Sequence, residues 1–151
     1  SILKKMAKTK KNFAVAVDIN WKRYWKFRFK KIQNDLETLK INKYNQIIEI
    51  GKPTKNLSGI DARYIGILKT SKETNKEIIS IWEKEKNKKR PGWGVSGNSL
   101  NKAYMTDLIN HLIKTEKNRL KCNAIKFKNG WYEFDIKNDF YNFKNFRFRY
   151  A

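Results

Sequence analysis

Phe13-Ala14-Val15-Ala16-Val17, closed by Asp18, is the stretch that decides the fold class. A continuous apolar run of strand length predicts a strand covered on both faces, as in an α/β sheet; a strand with one wet face would alternate instead. Asp18 then stands where the carboxyl end of such a strand meets a binding crevice. Downstream, Trp21-Lys22-Arg23-Tyr24-Trp25-Lys26-Phe27-Arg28-Phe29 carries aromatics at helical spacing (21, 24, 25) and at strand spacing (25, 27, 29). Periodicity leaves both readings open.

The rest of the chain mixes strands with helices, the order expected of helices layered on a sheet. Segments 36–41 and 46–50 flank Asn42-Lys43-Tyr44-Asn45 and predict a hairpin, with a further strand over 62–69. Thr70-Ser71-Lys72-Glu73 has capping-box spacing, and Ile78, Ile79 and Trp82 then mark one helix face. Met105, Leu108, Ile109, Leu112 and Ile113 form the clearest amphipathic pattern, at i, i+3, i+4, i+7 and i+8. A strand over 124–127, a turn at Asn129-Gly130, a strand over 131–134 and a short helix from near Asn138 complete the prediction. No repeat or linker divides the chain, so residues 1–151 read as one domain. Its strongest punctuation is a flexible glycine-rich loop at 90–99.

Charge is the most prominent feature of the composition: 35 basic and 14 acidic residues give a formal net charge of +21. Such a field attracts polyanions, including nucleic acid, nucleoside triphosphates and anionic membranes. Lysine accompanied by abundant Asn and Ile also fits an A/T-rich coding sequence, so the charge reads first as a solvated surface and does not decide the function. No apolar run is long enough to span a bilayer. Cys122 is the single cysteine, which excludes an intrachain disulfide and fits a reducing, cytoplasmic setting.

Several residues could carry chemistry. Glu133 and Asp135 are two apart, so a regular strand would point both to one face, where hard oxygen donors suit magnesium. Asp139 follows; the alternative is that Asp135 or Asp139 caps the last helix. In Gly51-Lys52-Pro53, Lys52 sits at a turn as a point charge for a phosphate, or as an ordinary exposed lysine. His111 reads as a surface or packed residue and Cys122 as a small buried hydrophobe. The aromatics Trp21, Tyr24, Trp25, Tyr64, Trp131 and Tyr132 could form a box over a quaternary ammonium, stack on RNA bases, or pack a core.

Four segments, taken together, resemble the C-terminal half of bacterial sugar-phosphate and choline-phosphate nucleotidyltransferases. They are Val17-Asp18 with Trp21 through Arg28; Ile48-Glu49-Ile50-Gly51-Lys52; Ala62-Arg63-Tyr64-Ile65-Gly66; and Ala103-Tyr104-Met105-Thr106-Asp107-Leu108 with the later Gly130-Trp131-Tyr132-Glu133-Phe134-Asp135. The resemblance implies an α/β fold: a partial GT-A-like, Rossmann-like nucleotidyltransferase sheet with flanking helices, its N-terminal nucleotide-binding half missing. It implies transfer of a nucleotidyl group from a nucleoside triphosphate, CTP favoured, to a phosphorylated acceptor such as phosphocholine or a sugar phosphate, with Mg²⁺ as cofactor. On this likeness Asp135 would be a metal ligand oriented by Glu133, Lys52 would contact the acceptor phosphate, and Trp21, Tyr64 and Trp131 would line the acceptor pocket. Asp107 would fix loop-to-helix geometry.

The glycine-rich loop that cradles the triphosphate in that family has no counterpart here. The expectation is therefore of a fragment unable to transfer a nucleotide alone. The rival reading is a basic nucleic-acid-binding module, motivated by the charge and by aromatic–lysine interleaving at 21–31 and 140–150.

Overall fold

The computed structural model describes residues 1–29, 31–33, 35–88, 92–116 and 119–143. The glycine-rich loop at 90–99 is therefore described only from Gly92, and the interleaved segment 140–150 only to Phe143.

Helix α1 (Ile2–Lys8) precedes strand β1 (Phe13–Asp18), all six residues of which are buried. The cause is visible on its two faces. Ala14 and Ala16 pack against Met6 of α1, and Phe13, Val15 and Val17 point into the main core. β1 is the centre of a three-stranded sheet. It pairs antiparallel with β4 (Arg63–Thr70) and parallel with β5 (Asn123–Phe127). The β1–β4 register slips between the pairs Val15–Leu68 and Val17–Tyr64, so β4 carries the extra residues of a bulge around Gly66, whose φ is +79°.

The predicted hairpin forms as β2 (Glu37–Ile41) and β3 (Ile47–Pro53), a separate two-stranded sheet. β3 runs on through Pro53, so Lys52 lies within a strand and not at the turn expected of it. The amphipathic segment forms α4 (Met105–Thr115), which packs on β3 through Ile109, Leu112 and Ile113. Asn110 on the same buried side accepts a hydrogen bond from Ile50 N at 3.2 Å. Helix α3 (Lys72–Lys86) starts one residue later than the capping-box spacing predicts, because Ser71 is the residue whose Oγ accepts from Thr74 N.

The ambiguous aromatic segment is a helix, α2 (Trp21–Arg28), with Trp21, Tyr24, Trp25 and Arg28 buried on one face at i, i+3, i+4 and i+7. The strand expected over 131–134 does not form. The Asn129-Gly130 turn is present, with φ +59° and +83°, but residues 131–134 run irregularly into α5 (Lys137–Phe143). Mixed α/β architecture with flanking helices is thus what the chain adopts. Among the described residues, no helix is long and apolar enough to cross a membrane.

Candidate functional site

The carboxyl end of β1 is where the site begins. Asp18 is fully buried, and three donors satisfy it: Asn20 N at 2.7 Å, Asn129 N at 3.2 Å and Trp131 Nε1 at 2.8 Å. Its carboxylate therefore ties the start of α2 to the turn that follows β5. Asn20 Nδ2 adds a bond to Asn129 Oδ1 at 3.1 Å.

One helical turn further, Tyr24 meets the irregular segment directly. Its hydroxyl accepts from Glu133 N at 3.0 Å and donates to Glu133 O at 3.3 Å. Burial pushes the phenol pKa upward from its ordinary value. At the end of the same face, Arg28 grips Asp139 with two bonds, Nε to Oδ1 at 3.0 Å and Nη2 to Oδ2 at 2.9 Å. Its remaining N–H edges hold Glu133 and Asp135. Burial works against the guanidinium's charge, yet the bonds to Asp139 and Asp135 hold its pKa above the ordinary value. Asp139 shows the balance from the other side: burial would raise its pKa, but Arg28 and the amides of Ile136 and Asp135 draw it down. Those amide bonds, 3.1 and 2.9 Å, give Asp139 the capping role that its position allowed.

Beside this network lies a cavity of about 370 Å³ between β2, β4, the start of α4 and residues 133–135. Asp35, Glu37, Glu133 and Asp135 supply four carboxylates to its lining, and Arg63 supplies one guanidinium. Tyr64, Tyr104, Met105 and Thr106 form other parts of the wall. Burial raises the Glu37 carboxyl pKa against the pull of Arg63, and raises Glu133 against the pull of Arg28. Burial also pushes the Tyr64 phenol up to about 12.

Of the residues expected to form a site, Glu133, Asp135 and Tyr64 are brought to this cavity. Lys52 lines a different depression of about 280 Å³, with Lys40, Glu49 and Asn56. Trp21 is a core residue, 1% exposed and edge-on to Trp25. Trp131 is half-buried, its ring NH committed to Asp18. The six aromatics therefore do not gather as a box around the cavity. Arg28, Arg63, Asp35 and Glu37 escaped sequence reasoning. The one available signal was Arg28 itself, a charge completing the buried helical face of α2, which demands acidic partners from elsewhere.

The glycine-rich segment is built around Asp107 of α4. That carboxylate is fully buried and accepts from Val95 N (2.9 Å), Ser96 N (2.8 Å), Ser96 Oγ (2.6 Å) and Tyr104 N (2.9 Å). These bonds outweigh burial and lower its pKa. Gly94, at φ +71°, leaves room that a Cβ would fill, 2.4 Å from Asp107 Oδ1. Trp93 is buried beside His111, ring centroids 5.1 Å apart. Cys122 is buried, with its thiol pKa pushed up.

Among the described residues, no group of three or more His, Cys, Asp or Glu side chains converges as it would around a metal. Asp135, with its side chain 63% exposed, and the more enclosed Glu133 are both paired with Arg28. An ion such as Mg²⁺, which takes one or two carboxylates and draws its other ligands from phosphates and water, would meet Asp135 as the more open of the two.

Against known proteins, the chain is similar to the CTP:phosphoglutamine cytidylyltransferase of Campylobacter jejuni subsp. jejuni. The two are 29% identical over 137 residues, which is 91% of this chain and 51% of that protein. The chain spans about half the length of the curated relative it matches. No family model matches it, and no solved structure does.

Proposed function

We propose that this chain forms the acceptor- and metal-binding side of a nucleotidyltransferase that uses a nucleoside triphosphate, CTP favoured, and a small phosphorylated acceptor. The observation that carries the reading is the arrival of Glu133 and Asp135 together at a polar cavity, within a segment similar to a cytidylyltransferase. In the reaction, an acceptor phosphate oxygen bonds to the α-phosphorus of the triphosphate while the bond to the pyrophosphate oxygen breaks. Such transfers depend on positioning and on neutralising phosphate charge.

The chain's own residues divide that work. Asp135, the exposed acid, would hold Mg²⁺, which supplies charge neutralisation when bound. Glu133, fixed through its backbone by Tyr24, would orient Asp135 and keep the floor of the cavity acidic. Tyr64 forms part of the acceptor wall. Lys52 is kept as a candidate for an acceptor phosphate approaching from the neighbouring depression. Trp21 and Trp131 would act from behind the wall, by supporting α2 and the Asn129 turn. A reducing, cytoplasmic setting suits the lone buried thiol.

The test is formation of a nucleotidyl-linked product and pyrophosphate from CTP and a panel of phosphorylated acceptors, followed by ³¹P NMR. It is run on the 151-residue chain and on any longer form of the protein that its gene encodes. Transfer that needs the longer form and falls about a hundredfold or more in Asp135→Ala agrees with the proposal. Turnover by the chain alone overturns the expectation of a half site. Absence of transfer in both arms with every triphosphate overturns the function.

A further inference from the structure

Two arginines stand near the cavity, and their situations are opposite. Arg28 is saturated by Asp139, Glu133 and Asp135. Arg63 lies over the ring of Trp25 with its guanidinium carbon 4.1 Å from the ring centroid. Among the described residues its guanidinium makes no hydrogen bond and no ion pair, and its Nε is buried without a partner. An arginine stacked on an aromatic face is already restrained, so less entropy is lost when its planar fork closes on an oxyanion.

The rest of the lining says what else the ligand must carry. Of the four carboxylates in the lining, Glu133 and Asp135 are already paired with Arg28, which leaves Asp35 and Glu37 against the Arg63 guanidinium and the cavity still acidic in a chain of net charge +21. A simple anion would be repelled from it. A quaternary ammonium would want a box of rings, and Tyr64 and Tyr104 are the only aromatic residues among those described in the lining. Carboxylates at Asp35 and Glu37 are better matched by N–H donors, as a protonated primary amine presents.

We propose that Arg63 is the oxyanion-binding residue of this cavity and that its ligand is a small phosphate monoester bearing a primary ammonium, with the ammonium facing Asp35 and Glu37. This deepens the acceptor side of the function proposed above and rests on it. It moves the phosphate contact from Lys52, which lines another depression, to Arg63.

The experiment reads binding without nucleotide or turnover, so its failure is separable from failure of the transfer assay. O-phosphoethanolamine, phosphocholine and glycerol 3-phosphate are titrated into the 151-residue chain in the presence of Mg²⁺, by calorimetry and by ¹⁵N–¹H NMR of the arginine Nε–Hε groups. O-phosphoethanolamine is expected to shift the Arg63 signal and to bind about tenfold tighter than the other two. Arg63→Met weakens it by about tenfold or more and Arg63→Lys by less, since lysine keeps the charge but not the fork. Glu37→Gln removes the preference over glycerol 3-phosphate. Equal binding of the three probes, absence of binding, or an effect of Lys52→Ala as large as that of Arg63→Met overturns the proposal. Should Arg63→Met fail to fold, Arg63→Lys and Glu37→Gln decide the same question.

Discussion

Arg28 and Asp139 are 111 residues apart in the chain and share a two-pronged ion pair, 3.0 and 2.9 Å, with both side chains almost fully buried. Removing one partner would strand the other's charge in the interior, which generally costs about 3–5 kcal/mol. Arg28→Met is therefore expected to lower unfolding free energy by about that amount in urea melts. A loss below about 1 kcal/mol would mean that the pair is dispensable.

Asp107 provides a prediction for the loop. Asp107→Asn keeps the shape but removes charge from a carboxylate bonded to two amides and a hydroxyl of residues 95 and 96. Amide exchange at Val95 and Ser96 should speed up by about tenfold or more, while exchange in β1 stays slow. Uniform acceleration in both places would indicate global destabilisation instead.

The pH dependence follows from opposite shifts. Asp107 and Asp139 have folded-state values below the unfolded carboxylate value of about 3.9, so their stabilisation is complete above that pH and is lost as pH falls through their lower folded values. Glu37 has a raised value, so its contribution is present below the unfolded value of about 4.3 and is lost as pH rises through the folded one. Glu37→Gln should therefore stabilise the chain at neutral pH, with the gain shrinking to nothing below about pH 4. Tm measured against pH for both proteins checks this; a gain that grows in acid has the wrong sign.

Two glycines with positive φ separate conformational strain from collision. A Cβ on Gly66 (φ +79°) meets nothing within 4 Å, whereas one on Gly51 (φ +84°) would sit 2.8 Å from Thr106 Cβ. Gly66→Ala should cost about 1–2 kcal/mol for its backbone alone. Gly51→Ala should cost about 1–3 kcal/mol more, because α4 must yield. Equal melting temperatures for the two variants would show that the β3–α4 contact is soft.

Much of the fold was legible because burial leaves a periodic trace. The run 13–17 announced a doubly covered strand, and the stripe from Met105 to Ile113 announced a helix lying on a sheet. The segment 131–134 misled for a physical reason: its aromatics have strand propensity, but the Tyr24 hydroxyl claims both the N–H and the carbonyl of Glu133, which would otherwise join a ladder. Glu133 and Asp135 nonetheless reach one cavity, through Arg28 and not through strand alternation. The site itself was only half readable. Its two acids resembled a known pattern, but Arg28 and Arg63 owe their importance to partners scattered from Trp25 to Asp139, a relation that local spacing does not encode.

The bonds from Tyr24 to Glu133, from Asp18 to Trp131 and from Arg28 to Asp139 span 109, 113 and 111 residues. They impose a timetable on a chain made from its amino end. Until residues 131–139 emerge, the Arg28 charge on α2 lacks Asp139, and the aromatic face of the helix lacks Trp131 and Tyr132. Glu133 and Asp135 join Asp35 and Glu37 in the cavity wall only when the segment leading into α5 docks. A ribosome stalled before that point would present a nascent chain whose sheet could pair β1 with β4, but whose site does not yet exist.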